Sequence, residues 1–77
     1  MCRSIQTLYN VQPGASREEA RAAALQYVRK ISGYRKPSQA NLEAFEQAVG
    51  EIADVTWRLL GELETAAPPR AREHVHA

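Results

Sequence analysis

Seventy-seven residues allow one domain with one small core, since a chain this short buries only about 60% of its unfolded surface. A single cysteine excludes an intrachain disulfide and fits a reducing cytoplasm; no apolar run approaches the roughly 20 residues of a membrane span, and the opening MCRSIQ lacks the apolar stretch of a secretory signal. The net charge of +1 conceals a division: residues 1–36 hold seven cations against two carboxylates (+5), and residues 37–65 hold one cation against six carboxylates (−5). Mutual attraction within one chain or between two copies is the simplest reading of that division, and a basic patch for an outside anion is the alternative.

Residues 1–15 read as an arm anchored by Ile5, Leu8, Tyr9 and Val11. Residues 5–9 suit a short helical turn capped by Ser4 or a short extended piece. Asn10 and the Pro13-Gly14 pair then interrupt the chain.

Ser16 opens a helix expected over about 17–31. Ser16 and Glu19 form a capping box, and Glu18 with Glu19 suits the positive end of the helix dipole. Ala20, Ala24, Tyr27, Val28 and Ile31 make the expected inner face. Arg29 and Lys30 fall at the carbonyl end, and Gly33 is a ready terminator. Pro37 then bars helix before it, and Ser38 is a good N-cap for a second helix over about 38–65.

In that second helix Leu42, Phe45, Val49, Ile52, Thr56, Leu59 and Leu63 alternate three and four apart and share one stripe. Scarce β-branched and aromatic residues and abundant Ala, Glu, Arg and Leu point to an all-α fold, an antiparallel helical hairpin with the arm packed on it. The expected helices span roughly 22 Å and roughly 40 Å, so the longer one overhangs its partner. The arm, placing Ile5, Leu8 and Tyr9 near Leu59, Leu60 and Leu63, is the expected cover, with a second chain as the alternative. Residues 1–65 thus form the domain. Residues 66–77, opened by Ala-Ala-Pro-Pro and lacking apolar periodicity, read as a disordered tail.

MCRSIQTLYN, Ala22–Asn41 (AAALQYVRKISGYRKPSQAN), Ala44–Val49 (AFEQAV) and Ala67–Arg70 (APPR) together resemble a bacterial family called domain of unknown function 2277. The resemblance covers nearly the whole chain. It implies a small helical bacterial protein and assigns no catalytic residues. Thr7–Lys30 is also similar in shape to the first helical hairpin of J-domains, but Ser32, Gly33 and Tyr34 replace the His-Pro-Asp tripeptide on which that family's action depends.

Three sets of residues are candidates for chemistry. Gly50, Asp54, Trp57 and Gly61 make a second stripe, where two helix-weakening glycines flank the only tryptophan and suggest that another backbone approaches closely. Arg29, Lys30, Tyr34, Arg35, Lys36 and Ser38 concentrate four cations, a phenol and a helix start, a combination suited to phosphate, carboxylate or nucleic acid. The same residues also serve as ordinary helix-end and loop cations. Cys2 beside Arg3 is either a reactive thiol or a small apolar anchor. His74-x-His76 has no partner ligand nearby, and the carboxylates spread along the second helix as a solvated face, so neither a metal site nor a general acid–base pair is marked. The sequence therefore reads as a cytoplasmic, non-enzymatic module without cofactor. It would bind another protein or itself, with polyanion binding through 29–38 as the alternative and no membrane contact.

Overall fold

A computed structural model describes residues 5–72. In chain order it contains strand β1 (Val11–Gln12), helix α1 (Arg17–Ser32), a single 3-10 turn (Gln39–Asn41), helix α2 (Leu42–Glu62) and strand β2 (Arg70–Ala71).

Helix α1 begins as its sequence requires. The Glu19 amide donates to Ser16 Oγ at 3.2 Å, while the Ser16 amide donates to Glu19 Oε1 at 2.9 Å, which satisfies two otherwise orphaned donors. The helix ends on Gly33, whose φ of 79° is left-handed and whose amide donates to Arg29 O at 3.0 Å. Helix α2 differs from expectation at both ends. Ser38 opens only the 3-10 turn, and its hydroxyl accepts from Asn41 Nδ2 at 3.0 Å instead of capping a helix amide. The C-terminus comes at Glu62, with Leu63 extended. Glu62 and Glu64 sit there against the negative end of the dipole, and Gly61 weakens the same turn, so an earlier end is physically reasonable.

The core is a contact between two rows spaced four residues apart. Ala20, Ala24 and Val28 of α1 and Phe45, Val49 and Ala53 of α2 are all buried, with Val49 only 1% exposed. Interdigitation of such rows is the commonest way for helices to pack. Small alanines on α1 let Phe45 and Val49 approach its backbone, and Leu25, Ala48 and Ile52 close the margins.

This row explains why the seven-residue stripe holds in part. Four-residue steps drift by about 40° per step around the helix, so beyond Ala53 the core row continues into Trp57 and Gly61. Leu59 and Leu63 lie to one side and are 50% and 43% exposed, and Val55 and Leu42 are also exposed. The arm follows the row. Leu8, Tyr9 and Asn10 flank Trp57, Leu60 and Gly61, so the expected cover of Leu60 forms and that of Leu59 and Leu63 does not.

The all-α expectation is corrected by a two-stranded parallel sheet, in which Val11 pairs with Arg70 and Gln12 with Ala71. The Arg70 amide donates to Asn10 O at 3.0 Å and the Arg72 amide to Gln12 O at 3.2 Å. Parallel strands need a long crossover, and here the whole helical pair supplies it. The fold is mainly helical. Within the segment read as a disordered tail, residues 67–72 run back along the arm; residues 73–77 lie outside the described residues.

Asn10 makes that return possible. Its φ of 55° is left-handed, a conformation asparagine tolerates better than most residues. From it, Nδ2 reaches both Ala67 O and Pro68 O at 3.2 Å. The Gln12–Pro13 peptide that follows β1 is cis. Arg72 completes the strap, donating to Glu19 Oε2 at 2.8 Å, so one carboxylate caps α1 through one oxygen and holds the C-terminal segment through the other.

Candidate functional site

Trp57 stands where the core row leaves α1, half-buried, with a cleft on either side. One cleft, about 260 Å³, is lined by Arg17, Glu18, Arg21, Gly50, Ala53, Asp54 and Trp57. The other, about 280 Å³, lies between the arm and Trp57, Leu60 and Gly61. Gly50 floors the first and Gly61 the second. A Cβ built on either glycine meets nothing within 4 Å, so no backbone among the described residues makes the expected close approach. The glycines instead leave open space beside the indole.

The first cleft is polar at its rim. The Arg17 guanidinium lies 5.7 Å from the centroid of the Trp57 ring and reaches Asp54 Oδ1 at 3.5 Å. Arg21 meets Glu46 Oε1 at 3.2 Å. Both pairs cross from α1 to α2, so two of the cations of residues 1–36 meet carboxylates of residues 37–65 inside one chain. These pairs are solvent-exposed and each contributes only about 0–1 kcal/mol. The second cleft is apolar, walled by Leu8, Tyr9 and Leu60. Of the four residues read from sequence, Trp57 belongs to both clefts, Gly50 and Asp54 to the first and Gly61 to the second.

Arg29, Lys30, Tyr34, Arg35, Lys36 and Ser38 cluster around the connection between the helices, away from these clefts. Among the described residues, none of the four cations pairs with a carboxylate. Arg29 Nε donates to Arg35 O at 3.2 Å, the Tyr34 amide to Ser32 Oγ at 3.1 Å, and Asn41 Nδ2 to the Tyr34 hydroxyl at 3.4 Å. Tyr34 is 43% exposed.

Cys2, His74 and His76 lie outside the described residues. Among the described residues, no polar or charged side chain is buried, no His/Cys/Asp/Glu group is arranged to hold a metal, and no helix is long and apolar enough to cross a membrane. The sequence reading missed Asn10 as a clamp and Arg72 as a tie. An asparagine between Tyr9 and Val11 is a signal for a left-handed residue, but the partners of both lie more than 50 residues away.

Comparison with protein families finds a match to the model described as "Uncharacterized conserved protein (DUF2277)" over residues 1–77. No curated protein and no solved structure matches the chain.

Proposed function

The chain belongs to the DUF2277 family, and from that premise we propose that it is a non-enzymatic protein-interaction module that docks a partner protein on Trp57. The observation that carries this reading is the half-buried indole between two clefts floored by Gly50 and Gly61. Tryptophan is enriched among residues that dominate interface energy, and it acts best where neighbouring pockets accept side chains of the partner. The partner would offer an apolar side chain to the cleft beside Leu60 and Gly61. It would offer a polar or charged one to the cleft rimmed by Arg17 and Asp54. An antiparallel sense of the two helices belongs to this reading: Arg17 meets Asp54, whereas Arg21, further along α1, meets the earlier Glu46. With one cysteine, the module fits the reducing cytoplasm of a bacterial cell.

The test fills the clefts without removing the tryptophan. Gly50→Leu and Gly61→Leu enter open space, so both variants are expected to fold, as circular dichroism would verify. A partner retained from native lysate by the unaltered chain is expected to be lost from Gly61→Leu and weakened by Gly50→Leu. Retention of every captured protein by both folded variants overturns the reading. Sedimentation separates the self-association version: that version requires an 8.6 kDa chain to dimerise with rising concentration and Gly61→Leu to prevent it.

A further inference from the structure

The cations of the chain are sorted by the fold. Arg17, Arg21 and Arg72 each reach across to a carboxylate on another element or turn, and Arg58 lies 4.0 Å from Glu62 one turn on. Among the described residues, Arg29, Lys30, Arg35 and Lys36 reach none, and neither does Arg70 on β2. The first four fall within the eight-residue span 29–36, from the last turn of α1 into the connection, and so concentrate positive charge in one region of a molecule whose net charge is only +1.

The same region displays aromatic and apolar surface that the core does not use. Tyr34 and Tyr27 are both exposed, and Ile31, one turn after Tyr27, is 64% exposed. The connection is also held in shape. Gly33 closes α1 in a left-handed conformation, the Tyr34 amide is tied to Ser32, and the Tyr34 hydroxyl accepts from Asn41. Arg29 spends its Nε on the Arg35 carbonyl, which makes it a brace for the loop. Lys30, Arg35 and Lys36 keep their charged ends without a protein partner among the described residues, beside a tyrosine ring fixed at its far end.

We propose that this region binds single-stranded nucleic acid, with Lys30, Arg35 and Lys36 on successive phosphates and a base stacked on Tyr34. Unpaired cations supply affinity through release of the counterions condensed on the phosphates. An exposed, oriented ring supplies a platform that an unpaired base covers and a duplex cannot. A purely electrostatic patch for any polyanion would need the cations alone. The braced ring and the exposed Tyr27–Ile31 surface favour the single strand.

Fluorescence anisotropy of the full chain with labelled oligothymidylate of about 15 nucleotides tests this, a length matched to the usual site size of small single-strand binders. Binding is expected at low salt, with log K falling against log salt at a slope of about −2, as three phosphate contacts give on a single strand. Arg35→Ala with Lys36→Ala is expected to weaken binding at least tenfold and to flatten the slope by about 1.4. Tyr34→Leu is expected to weaken it roughly fivefold or more with the slope unchanged, and Tyr34→Phe, which keeps the ring and loses its tie to Asn41, to restore most of it. All substitutions are at the surface, and circular dichroism confirms folding. Absence of binding at low salt overturns the proposal. So does equal affinity for a duplex of the same length, or a Tyr34→Leu variant that binds as the parent does. Gly61→Leu is expected to bind the strand normally, so this result stands or falls apart from docking at Trp57.

Discussion

Around the start of α1, Arg17, Arg21 and Arg72 all meet carboxylates; around the connection between the helices, Arg29, Lys30, Arg35 and Lys36 meet none among the described residues. The first region is also strapped. Ser16, Glu19 and Arg72 form a chain of contacts, and Asn10 holds Ala67 and Pro68. Among the described residues, the second is held by local hydrogen bonds around the connection. The contrast separates two uses of charge that composition alone merges. In the first region opposite charges close the fold, and in the second like charges are left for something else. The core between them is narrow, because the buried face of α1 is two alanines and one valine. Stability must therefore depend steeply on position along the helices.

The largest break in this comparison is at Phe45. It is buried against α1, and Phe45→Ala is expected to cost about 3–5 kcal/mol, a large share of what so small a domain has. Urea denaturation is expected to show little or no folded baseline. Ile31→Ala, at the exposed end of α1, is expected to stay within about 0.5 kcal/mol of the parent. Comparable losses at the two positions would mean that the core extends to the connection.

The strap comes next. Asn10→Ala removes two side-chain hydrogen bonds and forces alanine into a left-handed conformation, for an expected loss of about 1–2 kcal/mol. Glu19 divides its two roles between two variants. Glu19→Gln keeps an oxygen for the Ser16 amide and loses the charge that faces Arg72, whereas Glu19→Ala loses both, and is expected to cost about 1 kcal/mol more. Hydrogen exchange at the Arg70 and Arg72 amides is expected to accelerate in Asn10→Ala ahead of exchange in α1. Unchanged exchange there would show that the strands do not depend on the clamp.

What could be read from sequence divides along the same line. The capping box, the glycine stop and the burial of Ala20, Ala24 and Val28 follow from local rules over a few residues, and they hold, whereas Tyr27 and Ile31, expected on the same inner face, are exposed. The stripe on α2 was legible from Phe45 to Ile52, while Leu42 at its start is exposed. Beyond Ala53 the row that continues the core is Trp57 and Gly61, and the choice between that row and Leu59–Leu63 is made by the arm, which no helical periodicity contains. The parallel strands were not legible. Each has two residues, and their pairing spans both helices. The grouping of Gly50, Asp54, Trp57 and Gly61 was visible as a stripe, but the sequence does not show that the space beside the two glycines is left open by the described residues of this chain. The concentration of cations over 29–36 was plain, whereas their lack of partners required knowing where Glu46, Asp54 and Glu19 are used.

The glycines give a smaller effect of opposite sign. A Cβ at Gly50 meets open space in the middle of α2, so Gly50→Ala is expected to stabilise by up to about 1 kcal/mol, raising the midpoint by roughly 4–8 °C. Destabilisation instead would mean that the cleft is closed in solution by a contact the isolated chain does not show.

The smallest effects test the charge contrast itself. Arg21→Gln breaks an exposed pair with Glu46 and is expected to cost no more than about 0.5 kcal/mol, fading as salt screens the pair. Arg35→Gln removes a cation that has no carboxylate partner among the described residues and has three cationic neighbours that repel it. Its expected effect is zero or slightly stabilising, also fading with salt. Opposite signs that converge as ionic strength rises, read from matched denaturation curves, would show that one region uses its charges to hold the fold and the other retains them against it. If Arg35→Gln destabilised as Arg21→Gln does, the connection would have a carboxylate partner, and the positive surface there would be part of the scaffold.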